Sequence, residues 1–451
     1  MSFAAAVEQL HALGAELAAG AARRKFDLEH MRVLAGALGD PQLRFPSVLI
    51  AGTNGKGSTA ATLASILTAA GMRTGLYTSP HLVRVTERIR TSDPAVCAAE
   101  LCEIGEEEFA RIYFQVDETA RILVADGRLP HAPSFFETLT AIAYLYFAER
   151  QVEIAVLEVG LGGRLDATNI VEPVVSVITD VALDHQEYLG NTIGAIAWEK
   201  AGILRPNGTL VTLPQHPEAN QAIGEAAVAL GVRGVNAAEY LPGRELQGGA
   251  GVNEYDVQAG GEMVHVRSPL GGEHQRRNIA LAIAAAVELR GKLGASIPGH
   301  AIEQGIAQTK WPGRLEWVEP NLLLDVAHNP AGAWTLRAAI ASLPEERPRT
   351  LLFSCLRDKD VKEMARILFP LFDGTGGRPQ DHIVFAPIAS PRAAAMEDLI
   401  EAAGEMDVPA ESAGSVADAV ELARRLTPEG GLIVVTGSIY LVGAVRELVV
   451  R

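Results

Sequence analysis

Ser47-Val48-Leu49-Ile50-Ala51-Gly52-Thr53-Asn54-Gly55-Lys56-Gly57-Ser58-Thr59 joins a short apolar run to an apolar-periodic one across a glycine-rich turn. Residues 47–50 predict a buried strand, and Thr59–Ala70 predicts a helix. Strand, turn and helix in that order make a phosphate cradle. Glycines let backbone N–H groups approach phosphate oxygens, the helix start adds partial positive charge, and Lys56 can reach the outer phosphates. The spacing departs from the common G-x-x-x-x-G-K-[ST] form: it is shorter, and Gly57 separates Lys56 from Ser58. A plain glycine turn between strand and helix is the competing reading.

Outward from this stretch, 451 residues are too many for one ordinary core and predict two domains. Hydrophobic residues make up 48% and charged residues 21%, normal for a globular chain. The net charge of −16 argues against a general nucleic-acid binder and against attachment to an anionic membrane. It leaves room for an anionic ligand in a local cradle. Cys97, Cys102 and Cys355 have no zinc-like spacing, and their odd number predicts no disulfide framework, hence a reducing compartment. Met1–Gly20 lacks the cationic start and apolar core of a signal peptide, and no run of ~18 apolar residues occurs. The expected location is the cytoplasm.

Apolar periodicity predicts helices over Ala5–Ala19, Leu28–Leu38, Ala98–Ala125, Phe135–Ala148, Ile193–Ile203 and Arg276–Leu293. Strands are predicted over Arg73–Ser79, Glu153–Val159, Val174–Thr179 and Thr209–Leu213, with a polar loop over His81–Thr91. Alternating strands and helices imply a parallel sheet with crossovers. Residues 232–272 break the rhythm and read as a small antiparallel excursion. The composition shifts at Gly294–Gly299, which is read as boundary and hinge, giving domains 1–295 and 296–451. Beyond it Leu322–Asp325, Thr350–Ser354, His382–Ala386 and Leu432–Thr436 read as strands of a second α/β pattern.

Open α/β sheets bind ligands outside the carboxyl ends of their strands. Ser79, Glu158 and Asp184-His185 all fall at predicted strand ends. Ser79, Glu158 and the cradle could converge on one Mg²⁺–phosphate site, since Mg²⁺ takes few protein ligands. The plainer readings stay open: a turn hydroxyl for Ser79, an ion pair for Glu158, a core histidine for His185, a solvated helix lysine for Lys200. Arg314 sits in the turn Trp311-Pro312-Gly313-Arg314, while Asp325 and His328 follow another strand. Such an arginine suits transferring phosphoryl charge. Arg357-Asp358-Lys359-Asp360 reads more simply as a solvated turn.

Taken together, these motifs resemble the folylpolyglutamate synthase/dihydrofolate synthase family of the Mur ligase superfamily. The resemblance also rests on Thr78–Leu82, Phe136-Glu137, Leu157–Asn169, Leu183–His185, Glu199–Ile203, His274-Gln275 with Asn278, Pro312–Arg314, Asp325–Pro330 and Thr436–Ser438. It implies an N-terminal P-loop ATPase-type parallel-sheet domain and a smaller C-terminal Rossmann-like α/β domain. It implies an ATP-dependent ligase that activates a carboxylate as an acyl phosphate and joins it to L-glutamate. ATP would contact Gly52, Thr53, Asn54, Gly55, Lys56, Gly57, Ser58, Asn278, Arg314, Asp325 and His328. One Mg²⁺ would sit on Ser79 and Glu158 and a second on His185. Lys56, His185 and Lys200 would be catalytic, with Lys200 carbamylated by CO₂.

Gly160–Asn169 is similar to the bifunctional form, which also accepts dihydropteroate. That similarity implies pterin contacts at Leu165, Asp166 and Ala167, with Phe135 and Phe136 lining the pocket. Asp166 as a loop cap is the alternative. The partners expected are small molecules (ATP, L-glutamate, dihydropteroate or folates), with no nucleic acid, no membrane and a monomeric state. Folylpolyglutamate synthesis alone is a narrower reading. A ligase of UDP-linked cell-wall precursors is disfavoured, because the 51 residues before Gly52 are too few for a UDP-binding domain. A catalytically inactive nucleotide-binding protein is disfavoured by Lys56, Glu158, His185 and Lys200 occurring together.

Overall fold

The computed structural model describes residues 2–14, 27–92, 100–243, 251–375 and 379–450. β1 (Ser47–Ala51) is buried at every position. An apolar strand without alternation needs cover on both faces, so it belongs in the middle of a sheet. It lies there. The other strands of the first sheet are β2 (Thr74–Tyr77), β3 (Ile89–Thr91), β4 (Cys102–Glu103), β5 (Ile154–Glu158), β6 (Pro173–Ile178), β7 (Thr209–Thr212) and β8 (Arg233–Asn236). Their order is β4-β3-β2-β5-β1-β6-β7-β8. β2, β5, β1, β6, β7 and β8 run parallel, and β3 and β4 add an antiparallel edge.

The helices of this part are α1 (Phe3–Ala12), α2 (Leu28–Ala37), α3 (Lys56–Ala69), α4 (Glu106–Ala125), α5 (Phe135–Glu149), α6 (Gln186–Leu189), α7 (Ile193–Ala201), α8 (Pro217–Ala229), α9 (Glu273–Leu293) and α10 (Gly299–Ala307). α3 follows the cradle and is buried nearly all round. A helix apolar on every face needs cover on every face, and α10 supplies part of it. Gly305 lets the two backbones meet: a Cβ there would fall 2.3 Å from Ile66 Cα. Ser65 Oγ donates to Gly305 O at 2.7 Å.

Every strand predicted between the cradle and Leu213 is present. The polar loop expected over His81–Thr91 instead holds a 3-10 turn (Val85–Arg88) and β3, because pairing with β2 satisfies its backbone. The helix expected from Ala98 starts at Glu106, with Glu106, Glu107 and Glu108 in its first turn. Acidic side chains favour a helix start. Residues 98 and 99 lie outside the described residues, as do residues 15–19 of the helix expected over Ala5–Ala19; α1 ends at Ala12. Of residues 232–272, expected as an antiparallel excursion, Arg233–Asn236 is instead β8, which pairs parallel to β7. Residues 244–250 lie outside the described residues, and β9 (Asn253–Ala259) and β10 (Glu262–Ser268) form a hairpin, alternately buried and exposed.

The chain forms two compact units. The first comprises Met1–Gly243, Glu254–Ser268 and Arg276–Thr309. Residues 294–299, expected as boundary and hinge, thus lie inside it, because α10 packs on α3. The second unit is built on Lys310–Arg451. Its sheet consists of β11 (Glu316–Glu319), β12 (Leu322–Leu324), β13 (Arg349–Phe353), β14 (His382–Phe385), β15 (Glu411–Ser412) and β16 (Leu432–Thr436). The order is β11-β12-β16-β13-β14-β15, parallel except for β11. Cys355 is a buried free thiol, whereas Cys102 is disulfide-bonded, against the expectation of no disulfide framework.

Candidate active site

The first sheet places four chemistry-bearing strand ends side by side: Ser79 after β2, Glu158 at the end of β5, Gly52 after β1 and Asp180 after β6. Gly52 has φ 153 and Gly55 has φ 88. A Cβ on Gly52 would fall 1.7 Å from Thr179 Oγ1, and one on Gly55 would fall 2.2 Å from Asn278 Oδ1. Both positions therefore need glycine for space as well as for backbone conformation. Thr179 Oγ1 donates to Asn54 O at 2.7 Å. The N–H groups of Thr53 and Asn54 donate to Asp180 O at 2.8 and 3.2 Å. They shape the loop rather than face an anion. Helix geometry leaves the amides that open α3 without intrahelical partners, and such donors suit an anion.

Two lysine side chains meet beneath this loop. Lys56 Nζ donates to Gly52 O at 3.0 Å and to Thr53 O at 3.2 Å. Lys200, near the end of α7, donates to the same Gly52 O at 2.8 Å. Lys200 is 4% exposed. Burial, and after it the nearby Lys56 charge, lowers its pKa to about 7. The solvated-lysine reading is thereby corrected: this side chain points into the site.

Glu158 is 5% exposed, and its Oε2 accepts the Ser79 N–H at 3.2 Å. Glu87 holds the loop after Ser79 by accepting the N–H groups of Leu82, Val83 and Arg84 at 2.7, 3.1 and 2.9 Å. His185 has φ 51, and its N–H donates to Asp184 Oδ1 at 2.9 Å. Its Nε2 lies 3.9 Å from Asp184 Oδ2. Among the described residues no three His, Cys, Asp or Glu side chains gather as a metal-binding group. The donor set at Ser79 and Glu158 is a hydroxyl and a carboxylate. All-oxygen, low-number ligation fits Mg²⁺, which keeps water and phosphate oxygens.

The loop from Gly160 to Asn169 packs against α7. Arg164 N–H donates to Glu199 O at 2.9 Å, and Asn169 Nδ2 donates to Arg164 O and Gly202 O, both at 3.1 Å. Tyr144 Oη donates to Thr168 O at 2.9 Å. Asp166 is buried and caps the loop. Its Oδ1 accepts Thr168 N–H at 3.0 Å and Thr168 Oγ1–H at 2.5 Å, and its Oδ2 accepts Leu161 N–H at 2.9 Å. Burial raises its pKa to about 6, against the pull of those donors. Phe136 lies under Gly160, where a Cβ would fall 2.6 Å from the ring. Phe135 packs instead beneath Arg88, whose guanidinium lies 5.3 Å from its ring centroid. Ala167 is buried and Leu165 half-buried on the same loop.

Replacing Asp166 by asparagine is expected to destabilise the fold by about 1–3 kcal/mol, because an amide NH₂ would face a backbone donor. Urea unfolding measures this. The raised pKa means the folded state binds a proton that the unfolded state has released. Asp166 therefore contributes stability that is lost as pH rises from the ordinary carboxylate range through about 6. The variant should flatten that slope.

In the second unit, Asp325 follows β12 and is buried. It accepts Leu315 N–H and Ala327 N–H, both at 2.9 Å, clamping the turn that carries Arg314. Burial raises its pKa, opposed by Arg314. His328 Nδ1 pairs with Val326 O at 2.9 Å. A carboxylate has about four lone-pair sites, so the two loop hydrogen bonds of Asp325 leave acceptor capacity. Sequence reasoning missed Asp180 and Arg277. Arg277 forks onto Asp180 with Nε···Oδ2 2.9 Å and Nη2···Oδ1 2.5 Å. Asp180 could have been found as a polar residue just after a predicted strand; the partner could not.

A phosphate cradle on a parallel sheet followed by a second α/β unit is the construction of a Mur ligase. Residues 50–286 match the Mur ligase middle domain, and residues 313–439 match the Mur ligase, glutamate ligase domain. The folylpolyglutamate synthase of Lacticaseibacillus casei is 36% identical over 93% of this chain and 94% of that protein. The dihydrofolate synthase/folylpolyglutamate synthase of Mycobacterium tuberculosis is 35% identical, covering 93% of this chain and 89% of its own. The E. coli FolC structure in complex with DHPP and ADP has a TM-score of 0.79 and 30% identity, covering 99% and 97% of the two chains. The chain belongs to the folylpolyglutamate synthase/dihydrofolate synthase family of Mur ligases.

Proposed function

We propose that this protein is an ATP-dependent amide-forming ligase that joins L-glutamate to dihydropteroate, forming dihydrofolate, and to folates, forming polyglutamates. The observation that carries this reading is the gathering of Lys56, Lys200, Glu158 and Ser79 at neighbouring strand ends in a chain of this family. A free carboxylate is a poor electrophile. In the first step its oxygen attacks the γ-phosphorus of ATP, a new P–O bond forms, and ADP leaves. The amino group of L-glutamate then attacks the acyl carbon, a C–N bond forms, a proton departs, and phosphate leaves.

The residues take the following roles. The amides opening α3 hold phosphate oxygens, and Lys56 turns from the Gly52 and Thr53 carbonyls to the outer phosphates. Ser79 and Glu158 hold Mg²⁺, which would neutralise phosphate charge; His185 is assigned to a second ion. Lys200 reacts as its neutral amine with CO₂: an N–C bond forms and a proton goes to solvent. The depressed pKa supports this, because only the neutral amine is nucleophilic. Leu165, Asp166, Ala167, Phe135 and Phe136 are assigned to the pterin. Asn278, Arg314, Asp325 and His328 are assigned to the nucleotide.

ADP release with ATP, Mg²⁺ and L-glutamate tests the reading, with dihydropteroate and tetrahydrofolate compared as acceptors. Turnover with both is expected. Turnover with tetrahydrofolate alone would reduce the assignment to folylpolyglutamate synthesis, the name the L. casei relative carries. Turnover with neither would overturn it.

A further inference from the structure

We propose that Asp180 and Arg277 are positioning residues that set the geometry of the nucleotide cradle. The inference rests on reading the Gly52–Ser58 loop as the ATP phosphate site. Asp180 acts in two directions. Its carbonyl accepts Thr53 N–H at 2.8 Å and Asn54 N–H at 3.2 Å, so it holds the first half of the cradle. Its carboxylate receives the Arg277 fork, Nε to Oδ2 at 2.9 Å and Nη2 to Oδ1 at 2.5 Å. Arg277 Nη2 also donates to Pro214 O at 3.1 Å, beyond the end of β7. One guanidinium therefore ties α9 to the ends of β6 and β7.

What α9 delivers to the cradle is the next residue, Asn278. Its Oδ1 lies where a Cβ on Gly55 would fall, 2.2 Å from that point, and Gly55 opens α3 with φ 88. The fit tolerates little movement. A small rotation or slide of α9 would drive the Asn278 amide into Gly55 or withdraw it. A planar, bidentate pair on the adjacent residue restrains both motions, which a single point contact could not. As a source of stability the pair is weak, since both side chains are about a third exposed. Its effect lies in registering two strand ends and one helix against the phosphate loop.

The test uses full-length protein with Asp180→Asn, Arg277→Gln and the double variant. Calorimetry gives the ADP dissociation constant, and steady-state assays give KM for ATP, L-glutamate and the folate acceptor. Each single variant is expected to weaken ADP binding and raise KM for ATP by roughly tenfold, with the other KM values and the thermal midpoint unchanged. The double variant should be no worse than either single, and Arg277→Lys should recover only part, because it keeps charge without the fork. ADP affinity within twofold of wild type in both single variants would overturn the proposal. So would a uniform loss across all three substrates with a lowered thermal midpoint, the sign of a folding role. Wild-type protein that fails to bind ADP would overturn the cradle assignment and this proposal with it.

Discussion

Glu158→Gln is expected to lower ligase turnover by about 10²–10³-fold and to raise the Mg²⁺ concentration needed for half-maximal rate. The substitution keeps shape and keeps an oxygen for the Ser79 N–H, which Glu158 Oε2 accepts at 3.2 Å. It removes only the negative charge. Glu158 is buried at the end of β5, and a carboxylate there is tolerable only with compensation. Neutralising it relieves the resting fold and removes the charge that would attract a divalent ion beside the phosphates. KM for L-glutamate should not move. A Mg²⁺ titration at saturating ATP decides the matter; an unchanged Mg²⁺ dependence would refute the metal role.

Lys200→Ala should cost a comparable ~10²–10³-fold in turnover, for a different reason. Lys200 and Lys56 both donate to Gly52 O, so two cations share one acceptor. Conversion of Lys200 to a carbamate exchanges repulsion for attraction. Three readouts follow. Active wild-type enzyme supplied with bicarbonate should carry the added mass of CO₂. Bicarbonate activation should appear as pH rises through about 7, where the amine loses its proton. Acetate or formate should partly restore the Lys200→Ala enzyme by placing a loose carboxylate in the vacated space. An unmodified lysine in fully active, bicarbonate-treated enzyme would end this reading. For unmodified protein the linkage sign is definite. The pKa falls from 10.5 in the unfolded chain to about 7 in the fold, so the unfolded state binds the extra proton between those values. Stability therefore rises with pH across that window, and Lys200→Ala removes the slope.

The contrast between Glu158 and Lys200 shows how far local pattern reaches. Glu158 interrupts an apolar strand, and the cost of burying a lone charge there is enough to call for a partner or a ligand. Lys200 lies in Trp198-Glu199-Lys200-Ala201, an ordinary helical stretch. Its own spacing reads as a solvated lysine, and only the resemblance pointed elsewhere. Its burial depends on α7 packing behind the Gly160–Asn169 loop, where Gly163 lies against the Glu199 and Lys200 carbonyls. Asp166 sits between these cases. The loop-cap role weighed for it from residue type is present in its hydrogen bonds to Leu161, Thr168 and Gly160.

By itself the sequence determined the alternation of strands and helices, the cradle with its glycines, and the strand ends where polar residues fall. These are near-neighbour properties, set by side-chain period, backbone sterics and turn chemistry. The tertiary structure decided the rest. It made β3 an edge strand by pairing it with β2, and it placed α10 in the first unit by packing Gly305 on Ile66. It brought Lys56 and Lys200 to one carbonyl, and joined Asp180 to Arg277 across 97 positions of sequence. Each of these depends on which surfaces meet when apolar faces are buried, and a residue far along the chain carries no local mark of the partner that burial assigns to it.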